Sequence, residues 1–266
     1  MSNFNRNSLL VTLVLLMGCG VPLHTVLKAE EELEEQAGVS YVARDLLKEA
    51  GRVARTAEDR AEIARRLCSL EDIERGPVAA LPVCREAVKI GDRAGGLQAL
   101  AARRRLALVL VGAGLGEEGL RLVLPLHSDA HLQEAMLSWA RSAAYLEVRR
   151  PLEAVREAYL ARRHVELEVA RRPARAEFLA IADLKLGMAL AAADRPETAR
   201  AVLLRALDRQ RALDRQEPSY AEYRLYLVRI LDQLGALPGG AAFAAEGATL
   251  RAELRRRDPE RFEYTR

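Results

Sequence analysis

The sequence is short of aromatic residues, which make up 5% of its 266 positions, with a single tryptophan. Histidine occurs four times, cysteine three times and lysine only at positions 28, 48, 89 and 185. Runs alternating apolar and polar residues at a period of two are missing, which removes the main signal for half-buried strands. A charge excess of one sign is also missing: 41 basic residues face 38 acidic ones, for a net charge of +3, and the arginines are spread along the chain. That distribution leaves no footprint for nucleic acid, so no nucleic-acid partner is expected. No nucleophile elbow of the G-x-S-x-G type occurs, and no cofactor is implied. Half of the residues are hydrophobic, which is ample for a folded core and excludes wholesale disorder.

The N-terminus carries an address. Met1 to Asn7 is polar with Arg6 as its one charge, Ser8 to Met17 is apolar, and Gly18-Cys19 follows. This is the layout of a secretory signal. The run Leu16-Met17-Gly18-Cys19 resembles the lipobox of bacterial lipoproteins, with Met17 standing where a small or β-branched residue is usual. The resemblance implies a signal peptide over 1–18, a diacylglycerol on the Cys19 thiol and a lipidated tether over 19–39. Gly20, in place of Asp, implies retention at the outer membrane under the enterobacterial sorting rule. The competing readings are an uncleaved anchor from Leu9 to Leu27, interrupted by Pro22 and His24, and an ordinary cleaved signal. The tether contains Glu30-Glu31-Glu32-Leu33-Glu34-Glu35, read as a solvated spacer or helix face.

From residue 40 to 257 apolar residues recur at three and four, and Ala, Leu, Arg and Glu dominate. The region is therefore expected to be all-α. Thr56-x-x-Asp59 and Ser219-x-x-Glu222 read as N-caps, and Pro77, Pro151, Pro173, Pro196 and Pro218 sit where helices should start. Stripes of small residues repeat three positions after a proline: Ala80-Cys84-Ala87, Ala154-Ala158-Ala161, Ala199-Leu203-Ala206 and Ala241-Ala245-Ala248. A weaker copy is Gly119-Val123-Leu126. Their starts lie 39, 35, 45 and 42 residues apart, and before each lies a helix carrying Leu67, Leu106, Leu186 or Leu227. A helical hairpin recurring at that period is a solenoid.

Leu186-Gly187-x-x-Leu190 followed by Asp194, Ala199, Leu203 and Ala206 resembles one tetratricopeptide repeat. Leu106-Ala107-x-x-Leu110 with Gly114 and Gly119, and Leu227 to Gly235 with Ala241, are looser copies. The resemblance implies a right-handed superhelix of helical hairpins over 40–257, with 258–266 as a C-terminal tail. It implies no catalysis, and a concave groove that takes a protein or peptide partner. Pro82 and Pro125 fall within second helices, which they are expected to kink or end. Carried over copy by copy, the first helices point Arg65 and Ser69, Arg104, Leu108 and Val111, Met136, Trp139 and Leu146, Leu184 and Met188, and Leu225 and Arg229 into that groove. The core set for partner binding is Arg104, Leu108, Val111, Met136, Trp139, Leu146, Leu184 and Met188. Cys68 and Cys84 should face each other across one hairpin, either bonded as a disulfide or as two buried thiols.

Three other features compete. Gly114-x-Gly116-x-x-Gly119 mimics a dinucleotide fingerprint and carries the alternative of a small-molecule or dinucleotide-dependent enzyme. No second strand flanks it, so a glycine-rich turn between helices is the simpler reading. His127, Asp129 and His131 have metal-like spacing, but Ser128 or Asp129 as an N-cap would leave His127 outside the helix, so no metal is expected. Tyr220, Tyr223 and Tyr226 form an aromatic stripe read as packing. A third function class is a homotypic structural protein whose groove is filled by its own Phe262-to-Tyr264 tail.

Overall fold

A computed structural model describes residues 40–257, with Ser219 excepted and with side chains from Ala43 onward. Cys19, the glutamate run at 30–35 and the tail at 258–266 lie outside the described residues. Eleven α-helices and one short 3-10 turn account for nearly all of the described chain, and no strand occurs among the described residues. In chain order the helices are α1 (Ser40–Val53), α2 (Ala57–Arg75), α3 (Pro77–Ala94), α4 (Gly96–Gly112), α5 (Gly116–Val123), α6 (His131–Glu147), α7 (Pro151–Arg171), α8 (Glu177–Ala192), α9 (Pro196–Gln216), α10 (Ala221–Gly235) and α11 (Ala241–Arg257). Among the described residues no helix is long and apolar enough to cross a membrane.

From α2 onward the helices pair into five hairpins, α2/α3, α4/α5, α6/α7, α8/α9 and α10/α11. Each second helix packs on its own first helix and on the first helix of the next hairpin. First helices also touch one another in succession, α2 to α4, α4 to α6, α6 to α8 and α8 to α10, whereas second helices make no comparable contact with each other. The first helices therefore form the tighter, inner layer of a helical-hairpin solenoid.

Local chemistry explains the hairpins. Pro77, Pro151 and Pro196 open α3, α7 and α9 at positions where a missing N–H costs nothing. Thr56 caps α2, its hydroxyl accepting from the Asp59 N–H at 3.0 Å while the Asp59 carboxylate accepts from the Thr56 N–H. Three of the turns share one device. The N–H groups of Leu115, Arg150 and Arg195 reach back to the carbonyls of Leu110, Tyr145 and Leu190 at 2.8, 2.8 and 3.0 Å. The residues just before them, Gly114, Arg149 and Asp194, are left-handed, with φ of 78°, 57° and 56°.

The small-residue stripes lie where close approach needs them. Ala80, Cys84 and Ala87, then Ala154, Ala158 and Ala161, then Ala199, Leu203 and Ala206 are all at most 1% exposed. Gly187 completes the best repeat copy, because a Cβ there would sit 2.5 Å from the Leu203 side chain. Deeper in the stack, the fully buried Asp183 of α8 receives Arg162 of α7 at 2.8 Å and Arg209 of α9, tying three helices together.

Four expectations need correction. Pro82 neither ends nor breaks α3, which runs on to Ala94 and gives up only the bond to the Val78 carbonyl. The helix that carries the Gly119 stripe stops at Val123, so Leu126 lies beyond it, just past Pro125. In α11 the buried positions are Gly247 and Leu254, while Ala241, Ala245 and Ala248 are exposed. The cause is that Pro238 is not the first helical residue there: Gly239, at φ 74°, and Gly240 intervene, so the helix starts at Ala241, three residues after the proline. The N-cap of α6 is Ala130, without a side-chain cap bond, so Ser128 and Asp129 do not cap that helix; Tyr220 is the N-cap of α10, and Ser219 lies outside the described residues. The Ser128 hydroxyl instead accepts from the Ala130 N–H at 3.3 Å.

Candidate functional site

The inner layer leaves one stripe of each first helix uncovered. On α8 the residues Ala180, Ala182, Asp183, Leu184, Leu186, Gly187, Ala189 and Leu190 are buried, while Ile181, Lys185 and Met188 keep solvent access at spacings of four and three. That spacing is one face of a helix. The stripe continues on neighbouring first helices through Arg104 and Leu108 of α4, Met136 of α6, and Tyr226 and Arg229 of α10, all half-buried. The middle of this face is apolar and lined with methionine, a side chain that adapts to irregular contacts.

Four of the residues expected in the groove lie along this stripe: Arg104, Leu108, Met136 and Met188. Arg65 and Ser69 flank it on α2, and Arg229 lies over the Tyr226 ring at 5.4 Å. Others lie elsewhere. Leu184 is 1% exposed and belongs to the main core, and Leu225 is buried with Val228 and Leu254. Each is one position from a stripe residue, and one position turns a helix by about 100°. Trp139 stacks on Phe178 of α8 at 6.3 Å between ring centroids, in a cluster with Ala135, Val165 and Ala182. It fills the seam between the third and fourth hairpins. Val111 faces α5, close above Gly119, and Leu146 is partly buried against the main core, as are Met188 and Tyr226 of the stripe.

Lys185 was not singled out from the sequence, although it is the only lysine in the stretch from Phe178 to Ala192, whose one other charge is Asp183. Burial, with Arg229 adding repulsion, pushes its ammonium down to about 8. Arg104 is pushed down to about 10 by burial first, then by Arg65 and Arg105. Its guanidinium finds only the Gln133 amide oxygen at 3.2 Å and the Met136 sulfur at 2.7 Å. Other cations at this face hold carboxylates: Arg65 pairs with Glu62 at 2.5 Å and Arg105 with Asp72 at 2.8 Å.

The Sγ atoms of Cys68 and Cys84 are joined, with their Cα atoms 4.7 Å apart and both residues buried between α2 and α3. The glycine run forms a helical turn: Gly114 supplies the left-handed residue, Gly116 lies against Glu147, and Gly119 against the Ala107 carbonyl. His131 is the first residue of α6, and its Nδ1 lies 3.3 Å from that of His164 on α7, a pairing that no local spacing signals. His127 Nδ1 approaches Glu134 at 3.3 Å. Burial works against the Glu134 charge, but Arg141 and the Ser128 N–H outweigh it and hold the carboxyl below its usual range. Among the described residues no group of three or more His, Cys, Asp or Glu is arranged to hold a metal ion. Tyr220 and Tyr223 meet edge to face at 4.5 Å, and Tyr226 packs against the main core.

No protein-family model matches the chain, and no curated protein matches it in sequence. Among solved structures it is similar to two crystal structures of a protein from Podosopora anserina described as a kinesin light chain with nearly identical TPR-like repeats. Each is 16% identical, and the match covers 76% of this chain and 100% of that one. The TM-scores are 0.48, for a Q17M form, and 0.46.

Proposed function

We propose that this chain is a lipid-anchored interaction scaffold of the bacterial envelope, with Cys19 carrying the lipid at the outer membrane. Its solenoid faces the periplasm, and the first-helix face holds an extended protein segment. A natural context is the assembly or regulation of an envelope machine such as a pilus or secretion system. The observation that carries the reading is the continuous stripe Leu108, Met136, Ile181 and Met188, half-buried on three successive first helices, with the cations Arg104 and Lys185 among it. A concave, adaptable apolar surface with a few polar anchors is what a peptide needs. The glycine run is used up in a turn between helices, and no strand flanks it among the described residues, which removes the observation behind a dinucleotide-dependent reading.

Two measurements test the two halves. Cys19→Ser should abolish incorporation of labelled palmitate and release the protein from membranes. If that variant still incorporates label, the lipid anchor is wrong. A photocrosslinking residue at Met136 or Met188 should capture a partner in the native envelope, whereas the same residue at Leu204, 37% exposed on α9, should not. Equal capture from both faces would refute the groove.

A further inference from the structure

The inner face holds two cations that its own carboxylates do not serve. Arg104 contacts an amide and a thioether and is surrounded by Arg65 and Arg105. Lys185 makes no hydrogen bond or ion pair with any described residue, and the charge that acts on it is Arg229. Cations partly withdrawn from water without a carboxylate are unfavourable, and a fold that keeps two of them on one face is prepared for an anionic occupant.

The chain itself supplies one. Of its 41 basic residues four lie outside 40–257 (Arg6, Lys28, Arg261, Arg266), and of its 38 acidic residues eight do, so the solenoid sets 37 basic against 30 acidic groups. Five of those eight acidic residues form the run Glu30-Glu31-Glu32-Leu33-Glu34-Glu35. We infer that this acidic run folds back onto the inner face of its own solenoid, its glutamates pairing with Arg104 and Lys185 and Leu33 resting on the methionine-lined surface between them. The inference deepens the reading of the first-helix face as the binding face: a partner then has to displace the run.

Geometry permits it. Arg44 of α1 bonds Glu71 of α2 at 2.6 Å, so the start of α1 lies beside the end of α2. Arg105 of α4 reaches Asp72 and the Ser69 carbonyl at that same end of α2, so α1 and α4 both border it. Four residues, 36–39, separate Glu35 from α1, a reach of roughly 15 Å with the step into α1 included. The extended run spans about 17–20 Å, and two steps between neighbouring first helices, from α4 to α8, cover about 16–20 Å. The run is therefore long enough to span from α4, which carries Arg104, to α8, which carries Lys185.

A zero-length carbodiimide crosslinker applied to the full-length chain in detergent micelles tests this directly, because only four lysines can react. The expected product joins Lys185 to a glutamate between 30 and 35. It should disappear in about 1 M salt, where screening acts within roughly 3 Å. In a mixture of heavy- and light-isotope copies the linked peptides should be of one isotope. A free peptide copying residues 29–36 should bind the variant with all five run glutamates changed to Gln at least tenfold more tightly than the native chain, whose tethered run competes at high effective concentration. Linkage of the run to Lys28 or Lys48 but never to Lys185, mixed-isotope linkage, or equal peptide binding by both chains would each overturn the inference. Partner capture at Met188 is read separately, so loss of the run's docking and loss of the binding face remain distinguishable.

Discussion

The Cys68–Cys84 bond makes the sharpest stability prediction. It joins residues 16 apart in sequence, on the two helices of the first hairpin, and both side chains are at most 1% exposed. Closing a loop of that length removes about 3 kcal/mol of chain entropy from the unfolded state. In a globular domain that loss would spread over the whole transition. In a solenoid each hairpin is held by its neighbours alone, so the penalty should concentrate where the bond is. Gentle reduction of the native chain isolates the cross-link, because both sulfurs remain to fill the space between α2 and α3. Hydrogen exchange should then speed up in α2 and α3 by roughly a hundredfold, with little change in α8 and α9. The Cys68→Ala/Cys84→Ala chain should lose somewhat more, since it also leaves a small cavity. Uniform acceleration along the chain, or none in the first hairpin, would refute the reasoning. Two free thiols per denatured, unreduced chain would refute the bond itself.

Asp183→Ala should cost about 1–3 kcal/mol in denaturant unfolding, because the part-exposed Arg209 and Arg162, which keeps Glu166, lose their shared buried carboxylate. Gly187→Ala should destabilise by about 1–3 kcal/mol, since the new methyl overlaps Leu203, and a Leu203→Ala partner change should recover part of that in a double-mutant cycle. Burial, followed by the positive neighbours His131, Arg163 and His127, pushes His164 below its usual value, with Glu134 opposing. The unfolded chain therefore binds the extra proton first, so stability should be full above about pH 6.5 and fall as the pH drops below it. Urea midpoints measured between pH 7.5 and 5.5 should show that slope, and His164→Asn should flatten it.

Much of the architecture was readable before any coordinates. The helical period, the prolines at the starts of α3, α7 and α9, and the small-residue stripes are local signals, and local signals act through sterics and hydrogen bonds within a few residues. The capping box at Thr56 was readable for the same reason. The facing of the first helices was less so. In α8 every residue but Glu177, Asp183 and Lys185 is apolar or small, so amphipathicity does not mark the inner stripe, and Leu184 reads as a groove residue one position from Lys185. The one lysine in that stretch was the available signal, since a cation there is tolerated only where water or a counterion can reach it.

What the chain's sequence determined on its own is the set of helices and their pairing in hairpins, because both follow from spacing along the chain. The tertiary structure decided the rest. It turned Leu184 inward and Lys185 toward the open face, placed Trp139 in a seam against Phe178, started α11 after Gly239 and Gly240, and brought His131 to His164 across 33 positions. Each of those outcomes depends on contacts between helices distant in sequence, where a shift of one residue, about 100° of rotation, exchanges core for surface.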